Sequence, residues 1–398
     1  MNWQEHSLDE LGTVSRGRSR HRPRDAEHLY GGPYPFVQTG DVKKAALYLK
    51  DYTQTYSEAG LQQSRLWPKG TLCITIAANI AETAILDIDA CFPDSVIGFT
   101  ADPEKADTKF IKYQFDALLA KRMRTVSQGA AQDNLSQSKL LSFKFPAPEL
   151  RQQERISAVL SDYDDLIENN RRRIELLNQT VRLVYHEWFV RCQFPGYDHS
   201  TKVGGAPKGW KVTTLSEIAE TNTESFRKGA RPQEISYVDI ASVHTGQIKN
   251  KTSMLAEDAP GRARRIARHG DVIWSNVRPN LRAYALVQNP GKNDVFSTGF
   301  TILRPKGVPP SFLYCTVTTD SFVGHLVNRA TGASYPAVRP DDFEAAKVLV
   351  PSPEYLKAFD RFSEPFLSQI ALLSDSSRAL SEARDLLLPR LMDGGLEV

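Results

Sequence analysis

Apolar side chains recur at alternating intervals of four and three residues between positions 150 and 190, a stretch that contains no proline. The pattern continues for more than four heptads, and one polar residue, Asn170, fills a position of the same seam. A period of 3.5 residues sustained over this length predicts a long helix in a coiled coil. The seam positions are Ile156, Leu160, Tyr163, Ile167, Asn170, Ile174, Leu177, Val181, Val184 and Trp188.

A second seam of related spacing lies near the C-terminal end and predicts a second long helix. Pro365 precedes this seam and implies either a kink or a late start of the helix. Because each half of the chain carries one seam and a globular segment separates them, the simplest arrangement pairs the two helices as an antiparallel coiled coil. The second seam consists of Ile370, Leu373, Leu380, Leu387 and Leu391.

Asn170 places an amide among apolar neighbours, which costs stability unless a polar group of the partner helix faces it. With such a partner, Asn170 would fix the register and orientation of the helix pair. The alternative is a solvated asparagine at a break in the helix. The sequence leaves both interpretations open.

The chain also contains an internal duplication at an offset near 200 residues. The segment Trp67 to Ile76 corresponds to Ala267 to Asn276, and each has a turn glycine, Gly70 or Gly270, before an apolar run. Such a run is typical of a buried strand. The series of matches predicts two globular domains of one α/β (α+β) fold in tandem, separated by the two long helices.

The change from a globular to a helical pattern sets the expected domain limits. We expect globular domains at residues 1–150 and 196–353, a central helical region at 151–195 and a C-terminal helical region at 354–398.

Composition is that of an ordinary globular protein, with 41% hydrophobic and 24% charged residues over 398 positions. The four cysteines lie far apart and form no CxxC or Cys/His pattern. This argues against a disulfide scaffold and against a zinc site, and it favours a reducing cytoplasm. No apolar run approaches the roughly 18 residues that span a bilayer, so we expect no membrane insertion.

Catalytic fingerprints are absent from the sequence. It contains neither a GxxxxGK[ST] phosphate loop nor the Asn/Asp-Pro-Pro-aromatic motif of an amino-methyltransferase. Asp94 and the segment Asp107 to Lys109 nominally satisfy the spacing of a magnesium nuclease, but the second half of the duplication lacks these carboxylates. We therefore expect Asp107 and Thr108 to cap a helix, with Ser311 in that role in the second half. We predict no catalytic residue and no metal site.

The net charge is only +3, but arginines are concentrated in each half of the chain. Arginine reads guanine, Asn or Gln reads adenine, and Lys, Arg, Ser and Thr contact phosphates. Each concentration is a hypothesis of DNA contact, and solvated loop charge is the alternative. Because two DNA-reading domains would read different bases, we expect the DNA contacts on loops where the halves differ. The candidates in the first half are Arg16, Arg18, Arg20, Arg22, Lys121, Arg122, Arg124 and Gln128. Those in the second half are Arg227, Lys228, Arg262, Arg264, Arg265, Arg278, Asn280, Arg282 and Tyr335.

The motif VRPNLRAY supplies a mechanism for two of these candidates, because an Arg-Pro turn after a buried strand would project Arg278 and Arg282 from a stiff loop. The alternative is an internal salt bridge, for example with Asp271 or Asp294. Tyr335 precedes a proline and would either stack on a sugar or base or pack in the core.

With these features in place, the chain resembles the specificity (S) subunit of type I restriction-modification enzymes over essentially its whole length. The resemblance is carried by RQQERISAVLSDYDDLIENNRRRIELLNQTVRLVYHEWFV in the middle and LSEARDLLLPRLMDGGLEV at the end. The segments GAAQDNLS and GASYPAVRP resemble the loop that precedes each conserved helix of that family, although Ala130 and Ala131 depart from its usual Gly-Ser-Thr-like pattern.

The resemblance implies that the two globular domains are target recognition domains, each reading one half of a bipartite, asymmetric site in double-stranded DNA. It also implies that the conserved helices dock modification (methyltransferase) subunits, with restriction (translocase and nuclease) subunits joining for cleavage. Catalysis, and the binding of S-adenosylmethionine, ATP and Mg²⁺, would belong to those partners, and this chain would bind no cofactor.

Two other classes of function are consistent with part of the pattern. A non-catalytic coiled-coil scaffold would join two protein-binding domains, but it would have no reason to place arginine-rich loops where the domains differ. An enzyme that combines recognition with methylation or cleavage would need catalytic motifs that the sequence lacks.

Overall fold

The computed structural model describes residues 3–77, 81–126, 136–197, 202–203, 206–227 and 231–398, without the side chains of 119–126 and 202–203. The chain divides into two compact units, Met1–Arg171 with Asp375–Val398 (unit 1) and Arg172–Ser374 (unit 2). The boundary between the units falls inside both long helices, so each helix contributes one segment to each unit.

Unit 1 is a mixed α/β domain. Its elements are β1 Gln4–His6, α1 Leu8–Leu11, β2 Gly12–Arg16, β3 Tyr30–Phe36, α2 Thr39–Lys44, β4 Tyr48–Leu49, β5 Gln54–Tyr56, α3 Glu58–Gln62, β6 Leu66–Trp67, β7 Leu72–Thr75, β8 Thr83–Leu86, β9 Ala90–Cys91, β10 Val96–Ala101, α4 Thr108–Val126, α5 Gln137–Leu141, β11 Phe145–Ala147 and the first part of α6 Leu150–Tyr185.

Unit 2 begins with the rest of α6 and a π-helical turn at His186–Val190. Its further elements are β12 Lys202–Val203, β13 Ala206–Pro207, β14 Lys211–Thr214, α7 Leu215–Ile218, β15 Ala219–Thr221, β16 Glu234–Val238, β17 Val243–His244, β18 Gln247–Ile248, β19 Thr252–Leu255, β20 Ala263–Arg265, β21 Val272–Ser275, β22 Tyr284–Leu286, β23 Asp294–Ser297, β24 Phe300–Pro305, α8 Pro310–Thr316, α9 Asp320–Arg329, α10 Pro340–Glu344, β25 Lys347–Val350 and α11 Pro353–Met392, whose last turns belong to unit 1.

The two units repeat one sheet topology. One sheet has the order β2-β10-β7-β8-β4 in unit 1 and β15-β24-β21-β22 in unit 2. A second sheet has the order β5-β3-β9-β6 in unit 1 and β19-β16-β23-β20 in unit 2, and in both its central pair is parallel. The matching orders extend the duplication from the sequence to the fold.

The matched turn glycines adopt the same conformation in the two units. Gly70 has φ +89° and Gly270 has φ +87°, a left-handed conformation that glycine adopts without steric cost. Each donates its N–H to a carbonyl of the hairpin that follows, Gly70 to Leu86 and Gly270 to Val287, both at 2.8 Å. The strands after these turns, β7 and β21, are buried at every residue, as predicted.

The two long helices pack against each other within each unit. In unit 1 the side chain of Asp164 on α6 pairs with Arg384 on α11, and Asn170 faces Ser376. In unit 2 the ring of Tyr185 at the end of α6 lies 5.8 Å from that of Phe359 near the start of α11. Ascending positions on α6 thus meet descending positions on α11, so the pairing is antiparallel.

The predicted seam positions are all at least partly buried. Buried are Ile156, Leu160, Asn170, Ile174, Val181, Ile370, Leu373 and Leu391, and half-buried are Tyr163, Ile167, Leu177, Val184, Trp188, Leu380 and Leu387. Trp188 lies in the π-helical turn after α6 rather than in the α-helix.

Two expectations about the helices can now be decided. Asn170 is 8% exposed, and its amide nitrogen donates to the Ser376 hydroxyl at 3.4 Å, so it has a polar partner across the helix pair and is not a solvated residue at a break. The late start implied by Pro365 is wrong, because α11 begins at Pro353 and continues through Pro365. The predicted class, sheet-rich α/β domains with two long packed helices, is confirmed.

Candidate nucleic-acid interface

The first arginine cluster is an extended segment that prolongs β2. Gly17 donates its N–H to Val96 O at 2.9 Å, and Arg18 donates to Phe92 O at 3.0 Å. A Cβ on Gly17 would lie 2.3 Å from Pro93 O, so the close approach of the two backbones requires glycine. Since successive side chains of an extended segment point to opposite sides, the arginines at alternate positions are exposed and the residues between them are buried: Arg16, Arg18, Arg20 and Arg22 against Gly17 and Ser19.

Most of this cluster carries unneutralised charge. Among the residues that the structure describes, Arg16, Arg18 and Arg20 have no ion-pair partner. Arg22 donates to two backbone carbonyls, those of Ser19 and His21, each at 2.8 Å. Such a row of cations on one strand edge attracts a polyanion.

The remaining candidates of the first half lie in or beyond α4. Lys121, Arg122 and Arg124 fall within this helix, so the expectation that they lie on a loop is wrong, and their side chains lie outside the described residues. Gln128 also lies outside the described residues.

The second cluster lies on and beside the edge strand β20, not on a loop as expected. The Nε of Arg262 donates to the Tyr237 hydroxyl at 3.1 Å, and the Nε of Arg264 donates to Phe226 O at 3.4 Å. Arg265 is the last residue of β20 and donates to the Ser225 hydroxyl at 3.4 Å. Nothing in these contacts neutralises the guanidinium charges.

The segment after β15 runs beside β20 and completes this edge. Phe226 donates its N–H to Arg264 O at 2.8 Å, and Ile266 donates to Glu224 O at 3.2 Å. Arg227 is exposed at the end of this segment, and Lys228 lies outside the described residues.

A neighbouring ion-pair network shows which arginines pair with carboxylates of the fold and which do not. Glu224 accepts from Arg304 and from Arg268, whose guanidinium lies 2.7 Å from the carboxylate. These two hydrogen bonds, the one from Arg304 first, lower the pKa of Glu224. Arg304 also pairs with Asp271 at 2.8 Å, and Asp271 is only 1% exposed. The charge of Arg268 is therefore neutralised by Glu224, whereas Arg262 and Arg264 have no carboxylate partner among the described residues.

The Arg-Pro turn after β21 forms a second exposed feature of unit 2. Arg278 adopts a left-handed conformation, with φ +51°. Its N–H donates to Pro336 O at 2.7 Å, and its guanidinium donates to Ser334 O at 3.2 Å and lies 4.6 Å from the ring centroid of Tyr335. These contacts join the turn to the loop at 331–337, and the exposed guanidinium of Arg278 lies on the exposed ring of Tyr335.

Neither carboxylate that the sequence offered as a salt-bridge partner engages these arginines. Asp271 pairs with Arg304 and Asp294 with Lys251 at 2.5 Å. Arg282 pairs instead with Asp320 at 2.6 Å.

The other two polar candidates near this turn are exposed. Tyr335 is 68% exposed, so its packing in the core is excluded. Asn280 is exposed on the same turn.

The nuclease-like residues have structural roles. Asp94 pairs with Arg24 at 2.9 Å, and Asp107 accepts the N–H of Phe110 at 2.8 Å as a cap of α4. The matching role assigned to Ser311 is wrong, because this residue lies inside α8 and donates to Asp360 at 2.6 Å. Within the described ranges, no group of three or more His, Cys, Asp or Glu side chains is arranged to hold a metal ion.

One arginine of the first edge was missed by the sequence reasoning. Arg65 precedes β6, and its guanidinium lies 4.0 Å from the ring centroid of the buried Trp67. It aligns with Arg265 in the duplication, and because Arg265 was itself a candidate, this match is the signal that could have identified Arg65.

Comparison with known proteins found relatives in sequence and in structure. The family model described as "Type I restriction modification DNA specificity domain" matches residues 1–179. The "Type I restriction enzyme MjaIX specificity subunit" of Methanocaldococcus jannaschii is 22% identical over 424 residues, covering 100% of this chain and 94% of that protein. The MjaVIII specificity subunit of the same organism is 21% identical and covers 72% of this chain and 70% of its own length.

Among solved structures, the crystal structure of the type I restriction-modification system S subunit from M. genitalium has a TM-score of 0.61 at 18% identity, covering 98% of this chain and 96% of that one. The two proteins share their fold.

The chain belongs to the specificity (S) subunits of type I restriction-modification enzymes. It is therefore the part of such a complex that recognises DNA sites; it is non-catalytic and binds no cofactor itself. In the portion of the chain described by the structure, no helix combines the length and apolar character needed to cross a bilayer.

Proposed function

We propose that this chain reads a bipartite, asymmetric site in double-stranded DNA, one half with each globular domain. The observation that carries the proposal is the repeated position of the two cationic edges, the extension of β2 in unit 1 and β20 with its neighbouring segment in unit 2. Both edges carry arginines without carboxylate partners among the described residues.

The residues that differ between these edges would discriminate the bases of the two half-sites. Arg16, Arg18, Arg20 and Arg22 do so for one half, and Arg227, Arg262 and Arg264 for the other. Arg278 with Tyr335 adds a rigid contact in the second half, because the stacked guanidinium keeps free donors for a guanine edge or a phosphate. Lys121, Arg122, Arg124, Gln128, Lys228, Asn280 and Arg282 complete the proposed set.

The long helices would dock the modification subunits, with restriction subunits joining for cleavage, and S-adenosylmethionine, ATP and Mg²⁺ would be bound by those partners. Domain limits at 1–150, 151–195, 196–353 and 354–398 and action in the cytoplasm belong to the same proposal. On the described part of α6, Leu176 and Leu183 are each 62% exposed and seven residues apart, which suits a partner helix.

The proposal is tested with the complex reconstituted from this chain and its modification subunits. The triple variant R16S/R18S/R20S is compared with R24S, whose arginine is already paired with Asp94. We expect the triple variant to bind cognate DNA more weakly and to reduce the slope of log K against log salt by about 0.9 for each phosphate that it no longer neutralises. R24S should bind within about twofold of the unaltered complex, because the charge of Arg24 is already paired with Asp94 and losing an exposed ion pair should not unfold the domain.

The proposal predicts in addition that the triple variant alters base preference in one half-site only. Equal binding by the triple variant and the unaltered complex at all salt concentrations would contradict it and would favour a protein-binding scaffold.

A further inference from the structure

Arg65 and Arg265 occupy equivalent positions in the duplicated fold. Each stands five residues before the left-handed turn glycine, Gly70 or Gly270. Strand register agrees with this count. Cys91 of β9 and Val295 of β23 are equivalent, because they pair with the matching residues Phe36 of β3 and Tyr237 of β16. Cys91 pairs with Leu66, one residue after Arg65, and Phe296, one residue after Val295, pairs with Arg265.

Each of these arginines stands where two extended segments meet. In unit 1, the Ser64 hydroxyl donates to Arg18 O at 2.8 Å, which joins the segment that leads into β6 to the extension of β2. In unit 2, the segment after β15 is joined to β20 by the hydrogen bond from Phe226 to Arg264 at 2.8 Å. The two arginines are thus the shared members of two cationic edges that otherwise differ.

The guanidinium groups are held, but their charge is not neutralised. Arg65 lies on the face of Trp67 and, among the described residues, makes no ion pair or side-chain hydrogen bond. The Nε of Arg265 is buried without a partner in the described structure, and its only side-chain hydrogen bond goes to the Ser225 hydroxyl. Burial and the adjacent Arg264 lower the pKa of Arg265. Unmet donors on a half-buried cation leave room for an anion.

The chemistry of that anion follows from the symmetry of the positions. The halves of an asymmetric site differ in their bases, so the same arginine at the same place in both domains has no common base to read. A phosphate is present at every nucleotide, and phosphate contacts set the register of a protein on the duplex.

We propose that Arg65 and Arg265 each contact one phosphate of the DNA backbone, one in each half-site, and position the neighbouring side chains that read bases. This inference rests on the proposed function and adds to it a separation of positioning residues from reading residues. Arg65 belongs to the site although it lies at a position that the two halves share.

The experiment measures dissociation constants of the reconstituted complex across a salt series, for the cognate duplex and for duplexes with single base-pair changes in either half. The variants are R65M, R65K, R265M and R265K, with R264M as the reading control and R24M as the control for a paired arginine. Thermal melting checks that each variant is folded.

We expect R65M and R265M to weaken binding by roughly tenfold on every duplex, to reduce the salt slope by about 0.9 each, and to leave the ranking of bases unchanged. R65K and R265K should recover most of the affinity, because lysine also binds phosphate as a point charge. R264M should change the ranking in its own half-site.

A second measurement begins with the unaltered complex, so its first result does not depend on the folding of any variant. Replacing single phosphates by neutral methylphosphonates should reveal one position per half-site that weakens the unaltered complex, and at that position R65M or R265M should show no additional weakening. A changed base ranking in R65M or R265M, or unchanged affinity and salt slope, would overturn the inference. Absence of any base preference in the unaltered complex would instead contradict the proposed function itself.

Discussion

Asp164 on α6 forms a buried ion pair with Arg384 on α11 inside unit 1. The carboxylate is 4% exposed and also accepts the hydroxyl hydrogen of Tyr113 on α4 at 2.5 Å. Burial first, and then the negative charge of Asp164, raise the pKa of Tyr113. One carboxylate therefore joins three helices of this unit and fixes where α6 and α11 meet.

Removing this carboxylate should destabilise unit 1 strongly. We expect D164A to lower the free energy of unfolding by about 1–3 kcal/mol, because the hydroxyl of Tyr113 and the guanidinium of Arg384 would lose their buried acceptor. Arg384 would keep its exposed ion pair with Asp385. The matched control is D375A, which removes the partner of Arg378 from an ion pair whose side chains are 58% and 43% exposed. D375A should lower the free energy of unfolding by less than about 1 kcal/mol.

The measurement is urea unfolding of the full chain, with hydrogen exchange of α4 amides to report on unit 1. If D164A were as mild as D375A, the pair would have no role in holding these helices together.

The lowered pKa of Glu224 predicts an acid-sensitive region in unit 2. A carboxylate whose pKa is depressed in the folded state contributes stability above its ordinary pKa of 4.5, and this stability is lost as the pH falls through the folded-state value. We expect the unfolding midpoint of unit 2 to drop between about pH 5 and pH 3, and the E224Q variant to show a shallower drop over the same range. Parallel pH profiles for E224Q and the unaltered protein would show that the network with Arg304 and Arg268 contributes no such stability.

The stacking of Arg278 on Tyr335 predicts a graded effect on DNA affinity. The Y335F variant keeps the ring and should bind cognate DNA as the unaltered complex does. Y335A releases the guanidinium and should weaken binding by about twofold to fivefold, the size of an exposed cation–π contact. R278A removes the proposed DNA-binding group itself and should weaken DNA binding more than Y335A does. If all three variants bound DNA as tightly as the unaltered complex does, measured in a reconstituted complex, this turn would not belong to the proposed interface.

Substitutions at Asn170 and Ser376 test how much the hydrogen bond between them contributes to the stability of the helix pair. Replacing Asn170 by leucine should raise the melting temperature, since an amide in an apolar seam stabilises a helix pair less than leucine does even when it keeps one hydrogen bond, here to Ser376. S376A, which removes only the hydrogen-bond partner, should lower it. A lower melting temperature for N170L than for the unaltered chain would show that the hydrogen bond to Ser376 outweighs the apolar alternative.

The features with a short sequence period were predictable, and those that depend on distant pairing were not. The seam through Ile156, Ile174 and Val181 follows a local rule, so the helix could be predicted. The interior position of Pro365 could not, because the packing that keeps α11 helical around it comes from residues far away in the sequence.

The interface shows the same division. Alternation of Arg16, Arg18 and Arg20 with small residues was visible in the sequence, but its placement on a strand edge depends on β10, some 80 residues away. The partner of Arg282, Asp320, lies on a helix that no local signal connects to the turn. Arg65 had a signal, its alignment with the candidate Arg265, which a search for positions where the halves differ did not use.

We expect each globular domain to read one half of a bipartite DNA site. The most direct measurement is selection from a random-sequence duplex pool by the purified chain, with and without a modification subunit, across a salt series. We expect enrichment of two short, different motifs separated by a constant gap. Enrichment of one continuous motif, or no enrichment with the modification subunit present, would contradict it.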